Sequence, residues 1–538
     1  MILEEVPEGC DALVIGSGGA GLTFALAVKS LSPNSKVHIV EGASSAGGCT
    51  AYSGGGIWMP GHEWMEDPPK DTERAGIYLK NMYPGIDETC LDGFLEDVPS
   101  LMRLYKSKNV LLEQSLDYPD YYQEIEGSGK GRTVFPHVYK GPRKIRSVLR
   151  NLPSFYVPAT LNELTTWGPH RLAHWNKTLL AKRKILGHQV LGKALIGFLL
   201  EACMDAGIDF SLNSRVDELV FRDGEFAGAF VNGQEVSASV GMLANGGFSC
   251  HPELMKRIEA VRPVLSVSPE ECDSGGGGLR LALDAGLKVD NPDCWWAPVF
   301  KLYDETKEEK PGPDIWAYHT CLFDRSWPGG IMVNAEGKRF TNESACYNSV
   351  GGILAKGEDP ALDRVWLVWG DYYVKNYVRG IVSSYQPAKS YMNKSKTVEE
   401  LAEKTGLPAA NLRETIEHWN EMAKEGRDHD FQRGESAYDR YMGDRFRDGH
   451  PNIAPVEPPF QAVRIHPGTI GTKMGAVTDC HGRVVSEDGS TVSGLYAAGN
   501  ATASFFGKFY PGAGATLGQA CVFGYRAAKH ASGKTVER

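Results

Sequence analysis

The 538-residue sequence predicts an α/β fold in which a nucleotide-binding domain of parallel strands and helices is interrupted by a second domain. Three observations lead to this prediction. A strand, a glycine-rich turn, a helix and a second strand follow one another within the first fifty residues. Two later apolar strands, at 240–243 and 494–498, also end in small-residue turns. Between them, the stretch 288–459 is rich in tryptophan and proline, and the whole chain is too long for one compact core.

The first unit carries the pattern G-x-G-x-x-G between an apolar strand and a helix. Gly16 allows the tight turn, Gly18 leaves room for a pyrophosphate, and Gly21 lets helix and strand pack closely. Free N–H groups at the helix start attract phosphate, and Glu41 after the second strand would accept ribose hydroxyls. The unit therefore predicts a dinucleotide site. Its predicted contacts are Gly16, Gly18, Gly19, Ala20, Gly21, Glu41, Gly42 and Ala43.

A second run of small residues at 47–56 follows the acid directly. Such a run lets a long cofactor lie extended along the chain, which favours FAD over NAD. The run is similar to the second phosphate-contacting segment of the succinate dehydrogenase and fumarate reductase flavoproteins. Members that attach FAD covalently carry a His there, whereas this chain has Thr50, Ala51 and Tyr52, so we expect non-covalent FAD. The predicted contacts are Gly48, Cys49, Thr50, Ser53, Gly54 and Gly55.

Composition narrows the class of protein. A net charge of -10 argues against a nucleic-acid partner, and 42% hydrophobic with 23% charged residues is ordinary for a globular protein. The acidic N-terminus does not resemble a secretory signal, and no apolar run reaches the length of a membrane span. The eleven cysteines are scattered without a C-x-x-C pair, which indicates free thiols and no metal site. A cytoplasmic location is the expectation.

The chain returns to the nucleotide fold between 190 and 248. We predict a helix at 190–206, strands at 208–212 and 216–221, and a hairpin that returns through 227–231. The apolar strand 240–243 then leads into A-x-G-G, which resembles the second FAD-contacting turn of two-dinucleotide flavoproteins. Asn245 stands where Thr is usual. The predicted contacts here are Val216, Ala244, Asn245 and Gly246.

The predicted division is an FAD-binding domain at 1–287 and 460–538, with a catalytic or substrate domain inserted at 288–459. Within the insertion, two β-runs around a glycine turn predict a hairpin at 331–340. Two helices are predicted at 397–423, with N-caps at Thr397 and Asn411. The whole is a Rossmann-like domain interrupted by an α+β domain.

The last segment supplies a third cofactor-contacting region. A strand ends at Gly499 and Asn500, and a long helix begins after the glycine-rich stretch 510–518 and runs to 531. The positive end of this helix, placed at the flavin ring, would stabilise the negative charge that a reduced flavin carries. The predicted contacts are Gly499, Asn500, Gly514, Thr516 and Leu517.

Six segments together resemble the 3-ketosteroid Δ1-dehydrogenases, FAD enzymes of the broader fumarate reductase-type group. They are GSGGAG, AYSGGGIWMPG, ANGGF, VNAEGKRFTNES, GLYAAGNA and YPGAGATLG. The resemblance implies a reaction in which a base removes a proton from the carbon next to a ring ketone. A hydride leaves the adjacent carbon for the flavin, and the product is a conjugated enone.

The resemblance also assigns roles. It implies that Tyr347 is the base, and that Tyr510 and the Gly514 N–H hold the carbonyl. A further tyrosine in the loop YPDYY assists the base, for which Tyr121 is the choice over Tyr118 or Tyr122.

Several alternatives stay open. A Δ4-desaturase, an ene-reductase, or a dehydrogenase of a smaller cyclic ketone such as a cyclohexanone would use the same chemistry. A fumarate reductase-like enzyme needs cations for a dicarboxylate, for which Arg325 and Arg339 are available, and a flavin-binding protein without turnover is the remaining class. His466 is either a substrate contact or an interior histidine. A steroid-like ketone as substrate would imply at most loose membrane contact, and the sequence does not identify the electron acceptor.

Overall fold

The computed structural model describes residues 2–533 except Glu4, 151–156, 270–271, 273–274, 302–317 and 378–391. Its strands are β1 Ile2–Leu3, β2 Gly9–Ile15, β3 Val37–Val40, β4 Ile57–Trp58, β5 Leu112–Gln114, β6 Thr133–Pro136, β7 Asp209–Ser211, β8 Val216–Arg222, β9 Glu225–Val231, β10 Gln234–Leu243, β11 Leu265–Ser266, β12 Val289–Asp290, β13 Cys294–Lys301, β14 Tyr318–Thr320, β15 Gly330–Val333, β16 Val365–Trp369, β17 Asn393–Ser395, β18 Phe460–Thr472, β19 Gly475–Ala476, β20 Arg483–Val485 and β21 Thr491–Ala497.

The helices are α1 Gly19–Leu31, α2 Gly48–Tyr52, α3 Pro68–Met82, α4 Glu88–Ser107, α5 Arg143–Arg146, α6 Leu161–Trp167, α7 Lys177–Leu186, α8 Leu191–Asp205, α9 Pro252–Met255, α10 Gly277–Asp284, α11 Tyr347–Lys356, α12 Asp371–Asn376, α13 Val398–Thr405, α14 Ala409–Glu425, α15 Ala437–Met442 and α16 Ala515–Ala531. Short 3₁₀ turns lie at Leu172–His174, Pro360–Asp363 and Gly499–Ala501. Among the helices of the described ranges, none combines the length and the apolarity that crossing a bilayer requires.

The first sheet contains nine of the described strands, and its main path runs β1-β7-β3-β2-β10-β21-β20. Strands β7, β3, β2, β10 and β21 are parallel neighbours. Helix α1 packs against α8 and α16 beside this sheet. The predicted strand–helix–strand unit, the helix at 190–206 and the last long helix are confirmed. The α/β fold class is thereby confirmed.

The hairpin predicted after the helix at 190–206 is also present. Strand β8 pairs antiparallel with β9, with Leu219 opposite Ala229, and β9 continues into β10. Because β10 then joins β2, this hairpin extends the central sheet at its side.

A second sheet lies in the middle of the chain, with the order β14-β13-β18-β16-β15 and with β11 and β17 also paired to β18. Strand β18, Phe460–Thr472, is therefore part of the second sheet although it lies beyond residue 459. The division at 287 and 459 stays a prediction, and sheet membership favours a later second boundary.

The hairpin predicted at 331–340 is wrong. Only Gly330–Val333 is a strand, and it pairs with β16 rather than with the residues after the turn. Gly337 does turn the chain, since its N–H donates to Asn334 O. Beyond the turn, Arg339 forms an ion pair with Glu343 instead of continuing a β-ladder.

One of the two predicted helix caps is wrong. The Thr397 side chain accepts from the Glu400 N–H and caps α13 as predicted. Helix α14 begins at Ala409 with Pro408 as its N-cap, because proline already has the backbone φ that precedes a helix. Asn411 lies inside the first turn, and its amide donates to Glu336 O.

Candidate active site

Four loops meet at one edge of the first sheet, where the parallel strands β3, β2, β10 and β21 end. The loops are 41–43, 16–18, 244–246 and 498–501. Open parallel sheets bind dinucleotides in the crevice outside the carboxyl ends of such strands. Most of the predicted cofactor contacts therefore lie at the edge where a dinucleotide belongs.

The glycines of the first turn have two different roles: two allow close packing, and one leaves space for a ligand. A Cβ at Gly16, which has φ +106°, would lie 2.5 Å from Ala244 O, and one at Gly21 would lie 2.1 Å from Gly16 O. At Gly18 the nearest atom to such a Cβ is Thr50 Oγ1, at 3.5 Å. The turn needs glycine at 16 and 21 for its own packing and leaves open space at 18. These residues fit a pyrophosphate.

Glu41 ends β3 and ties the neighbouring loops together. Its carboxylate accepts from the Ser17 hydroxyl at 2.5 Å and from the Ala43 N–H at 3.0 Å. Its backbone carbonyl accepts from the Ser214 N–H at 2.8 Å, two residues before Val216. The predicted ribose contact and the predicted adenine contact thus lie in one neighbourhood.

Helix α2 and the residues after it run beside the first turn and contain the predicted contacts Gly48, Cys49, Thr50, Ser53, Gly54 and Gly55. The Gly19 N–H, at the start of α1, donates to Thr50 Oγ1 at 3.1 Å. A Cβ at Gly48 or Gly54 would meet no atom within 4 Å. The segment therefore borders open space next to the first turn, which suits an extended FAD.

The remaining predicted cofactor contacts follow β10 and β21 or begin the last helix: Ala244, Asn245, Gly246, Gly499, Asn500, Gly514, Thr516 and Leu517. Asn245 Oδ1 is buried and has no hydrogen-bond partner in the described part of the chain. A buried amide oxygen of this kind needs a donor, which a bound cofactor can supply. Asn500 Oδ1 accepts from Trp295 Nε1 at 3.2 Å.

Three buried tyrosines meet next to this edge. The Tyr121 hydroxyl donates to the Tyr347 hydroxyl at 3.1 Å. The ring centroids of Tyr510 lie 5.2 Å from Tyr121 and 5.5 Å from Tyr347. The three side chains come from distant parts of the sequence, and the fold brings together all three tyrosines that the sequence predicted.

Their surroundings give them different acidities. Burial raises the pKa of Tyr347 well above its usual value, and the hydroxyl of Tyr121 opposes this rise. Burial also raises the pKa of Tyr510, against hydrogen bonds from Thr516, Tyr347 and the Gly514 backbone. Both phenols are therefore protonated at neutral pH, and each accepts a hydrogen bond, Tyr347 from Tyr121 and Tyr510 from Thr516.

Gly514 lies directly before α16 and has φ +82°. A Cβ there would lie 2.2 Å from Gly56 O, and the Trp58 N–H already donates to Gly514 O at 3.1 Å. No other residue fits this backbone without displacing the strand beside it. The Gly514 N–H and the Tyr510 hydroxyl therefore lie close together at the start of a helix.

The sequence profile of the FAD binding domain family matches residues 11–517. The 3-oxosteroid 1-dehydrogenase of Mycobacterium tuberculosis is 32% identical, over 98% of this chain and 99% of that protein. The chain belongs to the 3-ketosteroid Δ1-dehydrogenase family of FAD-binding proteins. As a member of this family it is an FAD-dependent oxidoreductase.

Two further comparisons delimit the family around it. The 4-oxocyclohexanecarboxylate 2-dehydrogenase of Sinomonas cyclohexanicum is also 32% identical, over 97% of this chain and 93% of that protein. The crystal structure of the 3-ketosteroid Δ1-dehydrogenase from Sterolibacterium denitrificans, in complex with 1,4-androstadiene-3,17-dione, superposes with a TM-score of 0.86. It is 28% identical and the match covers 98% of this chain and 100% of that one.

In this member of the 3-ketosteroid Δ1-dehydrogenase family, the other tyrosines of the YPDYY loop have different partners: the Tyr118 hydroxyl bonds Tyr121, and Tyr122 bonds the backbone of Tyr510. The Tyr118 ring packs against Tyr441 in a tilted arrangement, with centroids 4.5 Å apart. Tyr122 lies beside Ser349 and Asn348. Only Tyr121 of the three donates to Tyr347 in the described structure.

Sequence reasoning missed a network of buried ion pairs in the segment that precedes Tyr347. Glu343 is fully buried and binds Arg339 at 2.8 Å and Arg433 at 3.3 Å, and Arg339 also binds Asp428 at 2.7 Å. Glu343 Oε1 further accepts the Met332 N–H of β15. The network fixes the segment that leads into Tyr347. The spacing of Arg339 and Glu343, four residues apart, was a signal, whereas Asp428 and Arg433 are too distant in sequence to pair by pattern.

A second missed residue, Asp120, directly precedes Tyr121. Its carboxylate binds Arg132 at 2.5 Å and accepts from Trp58 Nε1 at 2.8 Å. The Tyr121 N–H in turn donates to Pro511 O at 2.9 Å, next to Tyr510. These bonds set the direction in which Tyr121 points.

His466 lies on β18 opposite Val299. Burial, together with the charges of Lys301 and Arg464, lowers its pKa to about 3. It is therefore neutral at physiological pH. No described contact joins it to the three tyrosines, and its role as a substrate contact stays a prediction.

Proposed function

We propose that this protein is an FAD-dependent dehydrogenase that introduces a double bond next to the ring ketone of a 3-ketosteroid. The observation that carries the proposal is the group of Tyr121, Tyr347 and Tyr510 beside the Gly514 N–H. A base, its partner and two donors for one carbonyl oxygen are what removal of a proton next to a ketone requires.

Tyr347 takes the proton from the carbon next to the ketone. A phenol is a weak base at neutral pH because its usual pKa is about 10. The hydrogen bond from Tyr121 stabilises the phenolate of Tyr347 and opposes the rise of its pKa that burial causes. Because both hydroxyls are buried, this hydrogen bond is electrostatically stronger than the same bond would be at a water-exposed surface.

Tyr510 and Gly514 hold the ketone oxygen. As the proton leaves, negative charge develops on that oxygen, and both donors bind it more strongly than the starting ketone. Removing one such donor from an enzyme typically costs about 3 kcal/mol of transition-state stabilisation. FAD, when bound at the loops above, supplies the acceptor for the hydride. The roles of the individual residues, the non-covalent attachment of FAD, a cytoplasmic location and the electron acceptor all stay predictions.

A smaller ketone that carries a carboxylate is the second candidate substrate. The relative that is named for 4-oxocyclohexanecarboxylate is as similar as the steroid enzyme. In addition, the guanidinium of Arg445 lies 4.8 Å from the ring of Tyr441, which packs against Tyr118. Arg445 donates to Thr165 O, and no ion pair of this arginine occurs within the described ranges. Because Arg445 is exposed, its guanidinium is open to a substrate carboxylate.

The fumarate reductase alternative is less well supported. Arg339, one of the two cations available for a dicarboxylate, is bound to Glu343 and Asp428. Arg325 donates to the backbone carbonyls of Cys321 and Ala345. Neither arginine reaches the three tyrosines in a described contact.

Anaerobic bleaching of the bound flavin tests the proposal. Ketones are added one at a time: a 3-keto-4-ene steroid, a 5α-saturated 3-ketosteroid, cyclohexanone, 4-oxocyclohexanecarboxylate and, as a control, succinate. We expect the 3-ketosteroids to bleach the yellow oxidised band fastest. Bleaching by succinate, or by no compound, would refute the proposal.

The same panel separates the two substrate classes. If 4-oxocyclohexanecarboxylate bleaches the flavin and the steroids do not, the smaller substrate is correct. In that case Arg445→Met should raise the KM for the carboxylate-bearing ketone and leave the response to cyclohexanone unchanged. Glu435→Gln, at an exposed residue near the same segment, is the matched control.

A further inference from the structure

A fully buried lysine lies behind Tyr510. Lys473 follows the last residue of β18, and none of its surface is exposed. Its Nζ donates to Phe509 O at 3.1 Å, in the residue before Tyr510. The ammonium also lies 4.5 Å from the ring centroid of Trp295, whose ring lies 4.7 Å from that of Tyr510. Lys473 thus contacts both the backbone and the packing partner of Tyr510.

The charge around Lys473 is not balanced by protein groups. The carboxylate facing it is Asp293, which binds Lys356 Nζ at 3.2 Å and accepts from Trp296 Nε1 at 2.5 Å. No carboxylate lies within ion-pair distance of Lys473 itself in the described structure. The Lys356 side chain is partly exposed to water, whereas Lys473 is fully buried without a direct carboxylate partner, and a buried charge without such a partner is costly.

The other groups that face Lys473 do not supply the missing negative charge. They are the thiols of Cys294 and Cys346. Burial raises the pKa of Cys294 to about 12 and that of Cys346 to about 11, so both are neutral at physiological pH. Burial also lowers the pKa of Lys473 to about 8, which leaves it protonated at neutral pH.

We propose that Lys473 is a positioning residue for the oxygen-binding pair, which holds Tyr510 in place and provides the positive charge that an enolate oxygen at Tyr510 and Gly514 requires. The proposal deepens the function proposed above and rests on it. The bond to Phe509 O fixes the backbone from which the Tyr510 side chain projects, and the Ser504 N–H donates to Lys473 O at 2.9 Å. The positive charge of Lys473 then gains a negative partner only when charge develops on the enolate oxygen.

Binding of p-nitrophenol tests this without turnover, because its ionised form has its own visible absorption and mimics an enolate. Wild-type protein should bind the phenolate in preference to the phenol. We expect Lys473→Met to weaken phenolate affinity about 10-fold or more, the scale of one charge acting within a protein interior, and to leave phenol affinity unchanged. Lys508→Met is the matched control, since Lys508 is an exposed lysine that directly precedes Phe509.

The pH dependence gives the second measurement. The Lys473 ammonium is lost as the pH rises through about 8, so phenolate affinity in wild-type protein should fall above that pH. Lys473→Arg should keep the charge and move this fall to higher pH, while Lys473→Met should abolish it.

An unchanged phenolate affinity in Lys473→Met, or an unchanged pH profile in Lys473→Arg, would overturn the proposal. If the methionine variant does not fold, the arginine profile decides alone. If no ketone bleaches the flavin while the phenolate preference still depends on Lys473, the dehydrogenase function fails and the assignment of Lys473 stands.

Discussion

Tyr347, Tyr121 and Tyr510 carry the same phenol group, and their neighbours give each a different part in the chemistry. Tyr347 receives a hydrogen bond from Tyr121, which favours its ionised form. Tyr510 receives one from Thr516 at 3.3 Å and lies beside the Gly514 N–H. Under the proposed roles, the base and the oxygen-binding donor therefore differ only in their hydrogen-bond partners and not in residue type.

Changing Tyr347 to Phe removes the base and keeps the ring that packs in the core. We expect the rate of flavin reduction by substrate to fall by about 10²–10⁴-fold, the range of one general base. Stopped-flow bleaching under anaerobic conditions measures it. Tyr525→Phe is the matched control because the Tyr525 hydroxyl, on the last helix, bonds Ser100 and has no described contact with the three tyrosines. Similar losses in both variants would contradict the role of Tyr347.

Changing Tyr510 to Phe should lower the same rate by about 10²-fold, since one of two donors to the developing oxyanion is lost. The pH dependence of the remaining rate should keep its rising limb, because Tyr347 is intact and its raised pKa means that rate increases as pH rises. A variant that loses the rising limb would show that Tyr510 and not Tyr347 is the base.

The sequence could name Tyr347 and Tyr510 because each lies in a segment with a specific pattern. It could not choose among Tyr118, Tyr121 and Tyr122 from the residues alone. The loop that contains them has no helical or strand periodicity to orient its side chains. Its direction is set by the Asp120–Arg132 ion pair and by the bond from the Tyr121 N–H to Pro511 O, which join residues far apart in sequence.

At the scale of elements, the turns at the carboxyl edge of the first sheet follow directly from glycine spacing. Gly16 and Gly21 are dictated by backbone contacts, which a local pattern captures. The hairpin at 331–340 failed because its second run is held by side chains: Arg339 binds Glu343 and Asp428. The cap at Asn411 failed because Pro408 had already fixed the helix start. Local propensity predicts an element correctly unless an ion pair with a distant residue or a nearby proline changes the backbone there.

Changing Gly18 to Ala separates folding from cofactor binding. The new methyl group meets only Thr50 Oγ1, at 3.5 Å, so the apoprotein should keep its fold. It would occupy the space that a pyrophosphate needs, so we expect FAD affinity to fall about 10-fold or more.

Release of FAD on dilution, followed by flavin fluorescence, measures this affinity, and circular dichroism reports the fold. Gly48→Ala is a second test of the same space, although it also strains a residue with φ +48°. Ser239→Ala, at an exposed strand residue, is the control. Full FAD retention in Gly18→Ala would show that the pyrophosphate lies elsewhere.

At the scale of the whole molecule, the site joins two separate sheets. Tyr347 opens α11, which packs on β13 and β18 of the second sheet. Tyr121 and Tyr510 lie on loops bonded to each other near the first sheet and the small sheet β4-β6-β5. Sequence patterns predicted two domains, and the surface where they meet could not be derived because it depends on pairing between residues far apart in sequence.

The buried ion network of the second sheet should make stability depend on pH. Burial alone would raise the pKa of Glu343, but Arg339 and Arg433 outweigh it and hold that pKa below its usual value. The stabilisation is therefore present above the unfolded pKa of about 4.3 and is lost as the pH falls through the lower folded pKa.

Changing Glu343 to Gln should lower the free energy of unfolding at pH 7 by about 3–5 kcal/mol, because it removes the carboxylate that Arg339 and Arg433 share and leaves the buried Arg433 without an ion pair in the described structure. Urea unfolding followed by tryptophan fluorescence measures it, and the difference from wild type should shrink as the pH falls below 4. Glu336→Gln removes an exposed pair with Lys338 and should change stability by less than about 1 kcal/mol. Equal effects of the two variants would contradict a structural role for Glu343.

The hydrogen bond between Tyr121 and Tyr347 has a mechanical consequence. The donor, Tyr121, is held by the hydrogen bond from its N–H to Pro511 O. The acceptor, Tyr347, begins the helix that packs on the second sheet. A shift of about 1 Å between the two bodies would lengthen this 3.1 Å contact beyond hydrogen-bonding range. If Tyr347 is the base, as proposed, its basicity therefore depends on how the two sheets are aligned.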